Sequence, residues 1–118
     1  MNKILLIGHK YHLTKYMKGF YDALQKRFDL RILFVDDYWP SSMEDIDEYR
    51  NYDACIWYVR FRELMEKPAF KWRDFHGLRV MYDEDAHQNF HFMTGKSRYL
   101  GKWPIIYKQQ EFQMLICT

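Results

Sequence analysis

The chain has 118 residues, of which 48% are hydrophobic and 19% aromatic, and its 18 basic and 16 acidic side chains leave a formal charge of +2. This composition suits one domain with a real core and excludes a disordered chain. The even charge gives no electrostatic case for a nucleic-acid partner, and with no run of about 18 apolar residues no membrane span is expected.

Met1 to Gly8 opens the chain as a buried strand, centred on Ile4-Leu-Leu-Ile7, apolar at every position and so suited to burial on both faces. It shows no signal-peptide pattern, which points to the cytoplasm. Gly8 ends the strand, and the loop His9 to Leu13 follows. Thr14 is the expected cap of a helix running to about Phe28, with Met17, Phe20, Tyr21, Leu24 and Phe28 on one face. Gly19 lies inside that helix, where it weakens the helix and invites close packing on a sheet.

Leu30 to Val35 is the second strand, ending at Asp36-Asp37. Ser41 or Ser42 caps a short helix carrying Met43, Ile46 and Tyr49. Residues 36 to 53 carry seven acids against the single base Arg50, the pattern of a solvated helix face. Ala54 to Val59 is the third strand. A helical region over Arg62 to Phe75, interrupted at Pro68 and stopped at Gly77, precedes the fourth strand, Leu78 to Tyr82. The stretch from Phe90 to Gln110 reads as irregular or weakly helical, and Gln113 to about Cys117 is the last strand. Cys55 and Cys117, each in an apolar run, read as buried free thiols in a reducing compartment.

Short apolar strands alternating with crossover-length segments predict an α/β fold, a Rossmann-like three-layer sandwich with a mostly parallel sheet of about five strands. Ending on a strand suggests the N-terminal fragment of a longer two-domain protein. Ligands of open α/β sheets bind outside the carboxyl ends of the strands. That rule selects Gly8 to Leu13, Asp36 to Pro40, Val59 to Arg62 and Asp83 to His87. Gly8 is a candidate for a tight backbone turn toward a ligand. His9 and His12 are a candidate base and a candidate phosphate or sugar donor, against the plainer reading of exposed loop histidines. Asp36 and Asp37 stand where a ribose is accepted in nucleotide-binding halves, and Arg60 and Arg62 stand where an anionic ligand would be met.

Asp83-Glu84-Asp85-Ala86-His87 is the densest cluster. Its adjacent carboxylates repel, and beside a histidine they suit proton transfer, sugar hydroxyls or a cation; a helix cap is the structural alternative. No dinucleotide fingerprint, phosphate loop, nucleophile elbow or Cys-x-x-Cys pair occurs. The strip Lys96 to Lys108, with Arg98, Tyr99, Trp103 and Tyr107, has the residue types of a single-strand stacking surface but is short.

The segments Lys3 to His9, Tyr52 to Trp57, Gly77 to Asp85 and Phe112 to Thr118 together resemble, strand by strand, the N-terminal Rossmann-like domain of GT-B glycosyltransferases, in the retaining and spore-maturation-protein-like group. The resemblance implies an acceptor-side domain that is inactive alone and binds no cofactor or metal itself. It also implies a nucleotide-sugar donor on a missing C-terminal Rossmann-like domain and a sugar or glycan acceptor. Asp85 and His87 would be catalytic; Gly8, His9, His12, Arg60 and Asp83 would bind ligand. The family's glycine-rich first loop is reduced here to Gly8. The rival is a stand-alone flavodoxin-like or degenerate receiver-like module. The chain lacks the acidic pair after the first strand and the aspartate after the third that a phospho-acceptor domain requires.

Overall fold

A computed structural model describes residues 1–59, 61–83 and 108–117. Five strands, β1 (Lys3–Gly8), β2 (Asp29–Phe34), β3 (Ala54–Tyr58), β4 (Leu78–Asp83) and β5 (Met114–Cys117), form one all-parallel sheet in the order β2-β1-β3-β4-β5. The fold is the expected α/β, Rossmann-like arrangement, with the strand order of flavodoxin-like doubly wound sheets.

Alternation along each strand sorts its side chains onto two faces. Leu5, Ile7, Cys55, Trp57 and Met81 meet Met43, Ile46, Leu64, Phe70, Trp72 and Phe75 on one face. Ile4, Leu6, Ile56, Val80 and Tyr82 meet Leu13 and the helix α1 (Lys18–Arg27) on the other. β1 is thus covered on both faces and paired on both edges. Leu5, Leu6 and Ile7 are fully buried, each worth about 1.5–3 kcal/mol of transfer free energy.

All five residues expected on the inner face of the first helix pack on the sheet. The helix starts earlier than expected, at Lys10, and passes through a π-turn, His12–Tyr16, before α1. Thr14 is therefore not a cap. It sits inside the helical stretch, and its hydroxyl donates to the Lys10 carbonyl at 2.7 Å. Gly19 makes no close approach to the sheet, for a Cβ built on it meets nothing within 4 Å.

Ser42 caps a 3-10 helix, Met43–Tyr49, through a reciprocal capping box with Asp45. Its hydrogen bonds, the Ser41 hydroxyl first, hold the Asp45 carboxyl below its usual range. The helix expected to reach Phe75 stops far sooner. α2 spans Phe61–Glu66, and the chain then runs irregularly past Pro68. What orders that irregular stretch is Gln110. Its side chain accepts from Phe70 N–H at 3.2 Å and donates to the Leu64 carbonyl at 3.3 Å, and its own carbonyl accepts from Trp72 Nε1 at 2.9 Å. A buried amide bonded on both sides works as a fastener. Phe70, Trp72 and Phe75 then supply the bulk a longer helix would have brought.

Cys55 is a buried free thiol whose pKa burial pushes up. The side chain of Cys117 and residues 84 to 107, which include all of the strip Lys96 to Lys108 but its last residue, lie outside the described residues. Among the described residues no helix is long and apolar enough to cross a membrane.

Two glycines should respond oppositely to alanine. At Gly77 a Cβ would stand 2.5 Å from the Tyr52 carbonyl oxygen and 2.8 Å from that of Asp53; Gly77→Ala should cost about 1–3 kcal/mol in urea unfolding. Gly19→Ala should gain about 0.5–1 kcal/mol. Equal effects at the two sites would contradict this packing. Iodoacetamide with peptide mapping should leave Cys55 unmodified in native buffer and modify it in denaturant; native labelling at the unfolded rate would contradict its burial.

Candidate functional site at the carboxyl ends of the strands

From β1 the chain crosses to β2 on the α1 face, then returns over the opposite face to β3. The carboxyl ends of β1 and β3, where the crossover direction reverses, are the usual ligand position in such sheets. Gly8 lies at this point, paired with Tyr58. A Cβ there would come within 2.7 Å of the Tyr58 carbonyl oxygen and 3.0 Å of Leu13. Gly8 thus sits where any side chain would meet both the backbone of the neighbouring strand and Leu13.

His9 follows and meets two carboxylates. Its Nε2 lies 2.6 Å from Glu63 Oε2, and its Nδ1 lies 3.7 Å from Asp36 Oδ2. Glu63 comes from α2, after β3; Asp36 follows β2. One imidazole therefore lies between groups that follow three neighbouring strands, bonded to Glu63 and within ion-pair range of Asp36. An ionised carboxylate only accepts, so the hydrogen belongs on Nε2 and donates to Glu63; the lone pair of the neutral ring then lies on Nδ1. A proton taken up at Nδ1 produces an imidazolium flanked by two carboxylates. This is the base-plus-orienting-acid geometry of general-base sites.

Asp36 has a second role. Its Oδ1 accepts the Lys10 N–H at 2.7 Å. Lys10 opens the helical stretch, so its amide is one a bound phosphate would seek. A carboxylate from the chain itself occupies that position. The Lys10 hydrogen bond, with a smaller contribution from His9, holds the Asp36 carboxyl below its usual range.

The His12 ring lies 6.1 Å from His9, 5.6 Å from Tyr16 and 6.5 Å from Tyr58, within a chain of rings leading outward. Asp83 is buried at the end of β4, 1% exposed. Of the cluster Asp83 to His87 it alone is described; Asp85, His87 and Arg60 lie outside the described residues, as does the side chain of Arg62. The structure thus brings Gly8, His9 and His12 together and adds Glu63, which sequence reading misses. Its only local signal is an acid in the first turn of a helix after β3, a position that the helix dipole favours anyway. Asp36 is found at the site, but it holds His9 and Lys10 in the position read as a ribose acceptor. Among the described residues no group of three or more His, Cys, Asp or Glu could hold a metal ion. Asp36 and Glu63 approach opposite nitrogens of the ring and do not converge.

No protein-family model, curated protein or solved structure matches this chain.

The sign of the Asp36 effect is testable. A carboxyl with a lowered folded pKa stabilises the fold fully above its unfolded value, about 3.9, and loses that contribution as pH falls through the folded value. The Asp36 carboxyl carbon should titrate below the free value by NMR, with the Lys10 amide shift moving alongside it. Asp36→Asn should abolish the coupled amide titration. A midpoint at or above the free value would remove the clamp.

Proposed function

We propose that this chain forms the acceptor side of a glycosyltransferase cleft, with His9 taking the proton from the acceptor hydroxyl. The observation that carries the reading is the His9–Glu63 pair at the strand-order reversal, 2.6 Å apart. In the reaction the acceptor oxygen attacks the anomeric carbon of a nucleotide sugar, and the bond to the leaving phosphate breaks. The hydroxyl proton moves to His9 Nδ1. Glu63 keeps the ring in the required tautomer, and both flanking carboxylates stabilise the imidazolium.

The reading assigns the nucleotide sugar to a second Rossmann-like domain. Two features support that division: the first loop has a single glycine, and the Lys10 amide is already taken by Asp36. On this reading the 118 residues alone do not turn over substrate, and Asp85 and His87 remain candidates for the same cleft.

The strand order favours a second reading, a stand-alone flavodoxin-like binding module. A screen of nucleotide sugars with the full native gene product separates the two. Transfer is expected from the long form only, with kcat about 10²–10⁴-fold lower in His9→Ala and a smaller loss in Glu63→Gln. Asp85→Ala and His87→Ala belong in the same panel. Turnover untouched by His9→Ala would remove His9 as the proton acceptor. Absence of turnover with every donor would leave the binding module.

A further inference from the structure

Among the described residues, the large apolar side chains most exposed to solvent fall into two groups. Met1, Leu78 and Met114 lie at the amino ends of strands, whereas Tyr11, Tyr16 and Tyr38 lie at the carboxyl end with the candidate site. Tyr11 and Tyr16 are 57% and 67% exposed, yet they are not independent. Their rings are 5.1 Å apart at 82°, edge to face. They are five residues apart, and an α-helix would set them about 140° apart around its axis. The π-turn between them, closed by the Met17 N–H to His12 carbonyl bond at 2.8 Å, widens the helix and brings them together. The unusual backbone and the exposed ring pair are therefore one feature.

The pair leads into the site. His12 lies 6.4 Å from Tyr11 and 5.6 Å from Tyr16, and beyond it stands His9 with its two carboxylates. From the surface inward a ligand would meet apolar ring faces, then an imidazole, then acceptor oxygens. Acceptor oxygens suit hydroxyl groups and repel anions, and the Lys10 amide that would draw a phosphate is occupied by Asp36.

We propose that Tyr11 and Tyr16 form a stacking subsite for an uncharged sugar ring, one of whose hydroxyls then faces His9. This rests on the acceptor-side reading and names its substrate class as neutral saccharide, not sugar phosphate or uronate.

The test is an NMR titration of the protein with cellotetraose, maltotetraose and chitotetraose, beside tetragalacturonate and glucose 6-phosphate as anionic controls. At least one neutral tetrasaccharide should give saturable shifts at Tyr11, Tyr16 and His12. Tyr11→Ala/Tyr16→Ala should weaken it about tenfold or more, the upper range of ring stacking. Tyr11→Phe/Tyr16→Phe should keep most of the affinity, because ring faces carry it. Both positions are solvent-exposed, so the variants should keep the wild-type fold by circular dichroism. Lack of saturable shifts with all three neutral saccharides, equal binding by the double alanine variant, or tighter binding of the anions would each overturn the subsite. Saccharide bound at the tyrosines by a protein without transferase activity would remove the catalytic reading and leave the subsite standing. Transfer indifferent to both tyrosines would do the reverse.

Discussion

Everything else in this structure depends on the position of β1. It pairs in parallel with β2 on one edge and β3 on the other, from Ile4 through Gly8 in both registers. Both of its faces are buried, so it cannot slide without moving Leu5, Leu6 and Ile7 out of both cores together. The last residue of such a strand has little freedom, and Gly8 is further fixed by pairing with Tyr58 on one edge and Phe34 on the other. His9 inherits that fixed origin. A catalytic or binding group is best placed on a rigid element, and His9 is one residue beyond the most constrained strand of the sheet.

The same constraint explains the chemistry at the carboxyl ends of β1 and β3. Doubly wound sheets commonly offer a helix N-terminus to an anion at this position. Here Asp36 reaches across from the loop after β2 and takes the first amide for itself, at 2.7 Å. The local charge is then set by carboxylates, and between two of them stands an imidazole. A glycine-rich loop would have left the backbone open to phosphate; here a lone Gly8 packs close to the Tyr58 backbone and Leu13. The described groups at this point are consequently hydrogen acceptors around one imidazole, with the first amide of the helical stretch already occupied.

How far the sequence reveals this depends on the range of each interaction. All five strands are visible as apolar runs, most plainly β1 and β3, where burial on both faces leaves an uninterrupted signal. The Ser42 cap is equally visible, since its partner Asp45 is three residues away. Strand order, and hence the reversal between β1 and β3, follows from pairing between distant segments that periodicity does not carry. Glu63 meets His9 across 54 positions of chain, and no local pattern separates it from an ordinary helix-start acid. Gln110 fastens Phe70 and Trp72 from 40 and 38 residues away, so the irregular path after Pro68 looks helical until that anchor is known. Thr14 misleads in the opposite way. It has the residue type of a cap, but β1 ends early enough for the helix to begin at Lys10.

The two faces of the sheet are not equally secured, and the difference bears on how the site works. On one face Trp57, Trp72 and Phe75 are almost wholly buried, and Gln110 fastens Trp72. On the other, no residue of α1 is fully buried, and β2, the edge strand it leads to, is mostly only half-covered. Local opening follows sparse burial, so α1 belongs to the less firmly held half, whereas the segment carrying Tyr11, His12 and Tyr16 is pinned to the sheet by the fully buried Leu13. Glu63, by contrast, is carried on α2, beside the buried Leu64. The imidazole is therefore held by Glu63 from one side of the sheet, while the exposed rings flank the anchor that Leu13 makes on the other. The exposed ring pair and the His9 imidazole are thus anchored from opposite faces of one sheet, and what fixes their spacing is β1 between them.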